Sequence, residues 1–114
     1  MTATFDDVRR FALGLPEAEE VLTWGTDVTF RVRSKIFAIG ADGATHVSIK
    51  STPLIQEDLI DRDPATFASA AYVGRFGWVT CDLDRVDSGE LESLLRAAWR
   101  LTAPKRLAAT LPVD

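Results

Sequence analysis

Apolar and polar residues alternate at every second position in several stretches of this chain and recur at helical spacing in others. From Val28 to Arg33, Val28, Phe30 and Val32 fall on one side and Thr29, Arg31 and Arg33 on the other. This is the period of a strand with one dry face and one wet face. After Ser34 the run Lys35-Ile36-Phe37-Ala38-Ile39 resumes with β-branched and aromatic residues, so the two segments predict an antiparallel hairpin with a very short turn. Gly40-Ala41-Asp42-Gly43 predicts a second tight turn. Thr45 to Lys50 then alternates, with Val47 and Ile49 inward and His46, Ser48 and Lys50 outward. Trp78 to Leu83 does the same, Val79, Cys81 and Leu83 sharing one side. In the second strand of the hairpin, Phe37 and Ile39 alternate against Ile36 and Ala38. Both of its sides are apolar, so one must be covered by a helix or loop, a second subunit or a partner.

Helical spacing begins at Phe5. Thr4 and Asp7 have the spacing of a capping box, Phe5, Val8, Phe11, Ala12 and Leu15 form an apolar side, and Gly14 and Pro16 stop the helix near Leu13. Glu17, Glu19 and Glu20 make an acidic connection to a short strand at Val21-Leu22-Thr23-Trp24. Thr52-Pro53 opens a helix to about Asp61. Asp63-Pro64 repeats that signal and predicts a shorter helical piece through Phe67 to Ala70. Asp87 and Glu90 mark the start of the longest helix, whose stripe runs through Leu91, Leu94, Leu95, Ala98, Leu101 and Thr102, with Trp99 at its edge. Pro104 ends it, and Lys105 to Leu111 predicts a last short turn. Strands joined by tight turns cannot be parallel neighbours. The fold class is therefore α+β, a two-layer arrangement of an antiparallel sheet with helices packed on one face, in a single domain over residues 1–114.

Composition changes this picture little. A hydrophobic fraction of 46% and a charged fraction of 26% are ordinary for a globular domain. No apolar run approaches the ~20 residues that span a bilayer, no secretory leader pattern is visible, and one cysteine, Cys81, excludes an internal disulfide. These features fit a cytoplasmic protein. Charge matters more. The net charge of −4 argues against a generic polyanion binder, yet it is segregated. Residues 28–50 set Arg31, Arg33, Lys35 and Lys50 against Asp42, and residues 96–106 hold Arg96, Arg100, Lys105 and Arg106 with no acid, leaving −11 on the rest.

The cations available for phosphate contact are Arg31, Arg33, Lys35, Lys50, Arg75, Lys105 and Arg106. Against this stands the ordinary charging of solvent-facing strand positions and the favourable placement of cations at a helix C-terminus. Trp24, Tyr72 and Trp78, with Phe76, are candidates for an aromatic rim that stacks on bases or packs the strand ends. With one histidine and one cysteine, no catalytic pairing, metal-ligand spacing or phosphate loop is present, so neither enzyme activity nor a cofactor or metal is expected. Cys81, beside Val79 and Leu83, is expected to be a buried, inert thiol.

Three segments carry a resemblance. Trp24-Gly25 followed by Thr29 to Ala38 resembles the hairpin of the MmcQ/YjbR family, Gly77-Trp78-Val79 its second signature, and Ala98 to Leu107 its helix ending in alanine-proline-lysine. The resemblance implies a two-layer α+β fold similar in layout to type III secretion chaperones. It also implies a DNA-binding role on a sheet surface likened to a double-wing fold, and supplies no catalytic residues. Ser34 stands where glycine is common, and Gly74-Arg75-Phe76 lacks a histidine often found there. The function expected is a small cytoplasmic binding module, contacting DNA through the basic face of the sheet. The alternative is a dimeric protein-interaction or chaperone-like adaptor that does not bind nucleic acid.

Overall fold

Local signals at the N-terminus are realised atom by atom. In the computed structural model, which describes residues 2–23, 25–71 and 73–111, the Asp7 N–H donates to Thr4 Oγ1 (3.3 Å) and the Thr4 N–H to Asp7 Oδ2 (2.9 Å). This capping box satisfies two donors that a helix start would leave orphaned. Helix α1 (Phe5–Leu13) follows and buries Phe5, Val8 and Ala12.

Among the described residues the chain forms six strands: β1 (Ala18–Thr23), β2 (Asp27–Val32), β3 (Lys35–Gly40), β4 (His46–Ile49), β5 (Phe67–Ser69) and β6 (Val79–Asp82). They make one sheet in the order β1-β2-β3-β4-β6-β5, with every neighbouring pair antiparallel. Helix α2 (Pro53–Arg62) packs beside β5, and α3 (Ser88–Thr102) lies against α1, β3 and β4, followed by α4 (Lys105–Ala108). One buried cluster joins Phe5 and Val8 of α1, Phe30, Ile49 and Cys81 of the sheet, and Leu91, Leu95 and Trp99 of α3. The α+β class and the antiparallel sheet are as predicted.

Several details differ, and Leu101 of the predicted helix stripe is exposed. β1 starts at Ala18, three residues before Val21, because Ala18, Glu19 and Glu20 pair with Val32, Arg31 and Phe30 of β2; Glu20 also meets Arg9 Nε (2.7 Å), which reaches Asp6 as well (3.0 Å). The predicted helical piece reaching Ala70 is only a turn at Asp63, and Phe67–Ser69 pairs with β6 instead, Phe67 lying opposite Cys81. A three-residue strand is too short for periodicity to reveal. The apolar second strand is resolved by a β-bulge. Phe30 pairs with Ala38 but Arg31 with Ile36, so Phe37 is the extra residue. Phe37 and Ala38 both enter the core, while Ile36 and Ile39 stay half-buried. Thr29, read as solvent-facing, is fully buried, and Arg31 Nε donates to its Oγ1 (3.0 Å).

Trp99, placed at the edge of the helix stripe by its spacing, is a centre of the core instead. It is fully buried, and its Nε1–H donates to the Pro16 carbonyl (2.9 Å), tying α3 to the loop after α1. Trp99→Phe should lower unfolding free energy by about 2 kcal/mol or more, from a smaller ring and an unpaired carbonyl, as read by urea denaturation. The β2–β3 turn holds Arg33 and Ser34 at φ +51° and +68°. Both central residues are left-handed, as in a type I′ hairpin turn, a conformation that favours glycine. Ser34→Gly should therefore stabilise the protein by about 0.5–1 kcal/mol in the same assay.

Candidate functional site

The tight β2–β3 turn projects Arg33 and Lys35 from one end of the sheet, and the end of α3 comes to meet them. Pro104 stops that helix as its sequence requires, so Arg100 lies in the last helical turn and Lys105 begins α4. Between these elements lies a cleft of about 550 Å³, lined by Arg33, Lys35, Arg100, Lys105 and residues 101–104. Two cations of each basic segment thus line one cleft.

Arg33 is held from outside the cleft. Its Nε donates to Glu17 Oε1 (2.5 Å) and its Nη2 to Glu17 Oε2 (3.0 Å), a two-pronged pair between exposed side chains. The Arg33 hydrogen bonds hold the Glu17 carboxyl below the usual glutamate range, and Glu17 in turn raises Arg33. Glu17 sits at φ +56° immediately after Pro16, the residue fixed by Trp99. Among the described residues four cations line the cleft, and one of them is paired with Glu17. The negative end of the α3 dipole removes only about half a charge.

The open face of the sheet is different in character. Arg31 lies half-buried along it, Nε bonded to Thr29 Oγ1 and Nη2 to Thr23 Oγ1 (3.0 Å each), while Thr29 Oγ1 donates to the Val21 carbonyl (3.0 Å). Glu19 is its cross-strand neighbour, yet Arg31 turns to the hydroxyls. Lys50, also half-buried, is the other candidate cation reached by the outward positions of these strands. Arg75 stacks on exposed Phe76 (4.8 Å to the ring centroid) in a single 3₁₀ turn, Gly74–Phe76. Arg106 is exposed on α4, outside the cleft lining. Trp78 is buried, and Trp24 and Tyr72 lie outside the described residues.

A family model described as YjbR matches residues 13–101, more than three quarters of the chain. The chain belongs to the YjbR family. Among solved structures it is similar to the crystal structure of the Deinococcus radiodurans protein DR2400, a DUF419 domain, with a TM-score of 0.82 and 26% identity over 97% of this chain and 91% of that one. No protein with a curated description matches. The YjbR match holds Arg33, Lys35 and Arg100 and ends before Lys105.

Other chemistry in this YjbR chain is muted. Cys81 is fully buried, and its thiol is pushed up to about 12 by burial, with Glu90, Asp82 and Asp63 adding to the effect. His46 is 55% exposed, with Nδ1 2.9 Å from Thr45 Oγ1 and Nε2 3.8 Å from Asp82 Oδ2. Among the described residues no group of three or more His, Cys, Asp or Glu side chains is placed to hold a metal ion, and no helix is long and apolar enough to cross a membrane. Sequence reasoning kept Arg100 out of the candidate site and left Glu17 in an acidic connection. Sixteen residues separate Glu17 from Arg33, a distance that carries no local signal.

The ion pair has a signed consequence. A carboxylate depressed in the folded state stabilises it above the ordinary value of 4.5, and that stabilisation is lost as pH falls through the folded value. The Glu17 carboxyl resonance should titrate below 4.5 in the native protein and return to the ordinary range in Arg33→Gln. A Glu17 midpoint that does not move between the two proteins would remove the pair from solution.

Proposed function

We propose that this YjbR-family chain is a small cytoplasmic binding module that contacts DNA phosphates through the cationic cleft at the hairpin end, and not through the broad face of the sheet. The observation that carries the reading is the convergence of Arg33 and Lys35 with Arg100 and Lys105 across some seventy residues of chain. Cations placed only to complement a helix end need not be met by a hairpin of the same sign. The open sheet face offers Arg31, already engaged by Thr23 and Thr29, and Lys50. That is a sparse surface for a polyanion. Catalysis is no part of this proposal.

Lys35 and Lys105 would neutralise about two phosphates, for a slope of log affinity on log salt of about −1.8. Affinity should then fall about 12-fold between 50 and 200 mM salt. Fluorescence anisotropy with duplex and single-stranded oligonucleotides measures this directly, and Lys35→Ala and Lys105→Ala should each reduce the slope by about one. No binding of either DNA form at 50 mM salt would end the reading.

A second reading rests on a separate observation. Val21, Ile36 and Ile39 give the open sheet face half-buried apolar positions. Under this reading the face pairs with a second copy of the chain in a protein-interaction adaptor. Sedimentation showing only monomer at high concentration would dismiss it.

A further inference from the structure

We infer that the cleft selects a terminal phosphate, the monoester at the end of a nucleic-acid strand, over the internal phosphodiesters, and that Glu17 is the positioning residue that sets this selectivity. The inference rests on the DNA reading above and adds the ligand's chemistry to it.

The argument begins with what already occupies Arg33. The Nε/Nη2 edge of its guanidinium is taken by the Glu17 carboxylate, at 2.5 and 3.0 Å. A ligand that takes this two-pronged edge must displace a good anion; one that does not is left the Nη1 side of Arg33 and the other cations. An internal phosphodiester carries a single negative charge, so exchanging it for a carboxylate at Arg33 gains little. A terminal monoester carries about −1.5 to −2 at neutral pH and three strong acceptor oxygens. It can satisfy the arginine fork together with Lys35 and Lys105, which a diester with two free oxygens does less completely.

Shape points the same way. The cations are gathered around one cleft of about 550 Å³ at the turn end of the sheet, a volume in the range of small-ligand sites. Arg31, Lys50, Arg75 and Arg106 are not among the residues that line it. A strand end can enter such a cleft, whereas the body of a duplex meets a rim. Glu17 thus acts through Arg33: it stays in place against weak anions and yields it to strong ones.

The test compares matched single-stranded oligonucleotides bearing a 5′-phosphate, a 3′-phosphate or only terminal hydroxyls, by anisotropy at fixed salt. The wild-type chain should bind a phosphorylated strand about tenfold more tightly than the hydroxyl strand, the factor of one added charge-assisted hydrogen bond. Glu17→Gln should raise affinity for the hydroxyl strand and narrow that ratio severalfold. A merely structural loss would weaken all strands together and leave the ratio unchanged, overturning the role given to Glu17. Arg33→Gln should abolish the preference while leaving salt-dependent binding through Lys35 and Lys105.

Acidity supplies a readout that needs no variant. Between pH 7.5 and 5.5 the terminal phosphate gains a proton, so its advantage should shrink while hydroxyl-strand binding stays level. The groups facing the cleft are Arg33 and Lys35 from the hairpin, Arg100 from α3, Lys105 from α4 and, behind Arg33, Glu17, which is held low. The sole histidine, His46, lies against Thr45 and Asp82, outside the lining. Equal binding of all strands overturns terminal selection but leaves the DNA reading standing. A free mononucleotide competing as well as the phosphorylated strand overturns assignment to a strand end. Failure of every strand at 50 mM salt overturns both readings.

Discussion

The hydrogen bond from the Trp99 indole to the Pro16 carbonyl organises more of this molecule than its single donor and acceptor suggest. It links residues 83 apart, from a side chain that is fully buried, and so fixes the exit of α1 against the middle of the core. A buried indole donor without a partner would bear the full desolvation penalty, so the position of the loop is not optional. Glu17, the next residue, takes a left-handed conformation from this anchor and holds Arg33 at the tip of the hairpin. The core thus places the tip of β2–β3, and α3 contributes both the anchor at Trp99 and the opposing cations that begin at Arg100. The cleft follows from the packing of one helix.

The sheet's two faces are divided by the bulge as much as by alternation. Without the extra residue at Phe37, strict alternation would place Phe37 and Ala38 on opposite faces, leaving a large aromatic ring on the open side. With it, both enter the core and the open side keeps only Ile36 and Ile39 from β3. The same open side turns Arg31 inward to Thr23 and Thr29, where the two hydroxyls relay it to the Val21 carbonyl. An arginine used this way rigidifies the β1–β2 pair. Its charge is less available to a ligand than its position in the alternating pattern suggests.

What was legible in the sequence was whatever a few neighbouring residues decide. Thr4 with Asp7, Thr52 with Pro53 and Asp87 with Glu90 each mark a helix start by chemistry confined to one turn, and each helix begins there. The short links between strands dictated antiparallel pairing, and Val47, Ile49, Val79 and Cys81 reached the core that their alternation implied. What stayed hidden needed partners distant in the chain. β5 exists because Phe67 finds Cys81, Glu20 belongs to a strand because it pairs with Phe30, and Phe37 is buried through a register shift set by β2. The cleft was half legible. Its basic segments stood out by composition, but their meeting, and the capture of Arg33 by Glu17, are properties of three-dimensional packing.

The acidity of the chain bears on the cleft in a way that net charge alone conceals. At about 0.15 M salt the Debye length is about 8 Å, far less than the molecular extents of 35 × 31 × 29 Å. An anion in the cleft then feels chiefly the cations that line it, and the surplus of acids elsewhere is screened. For a long polyanion the balance differs, because any stretch of backbone that extends beyond the cleft passes the acidic remainder of the surface. Each further phosphate adds little attraction and some repulsion. Under the proposal made above, a basic cleft on a protein of net charge −4 would favour compact, concentrated negative charge over extended charge, and the acidic surface that argues against general polyanion binding would contribute to that selectivity.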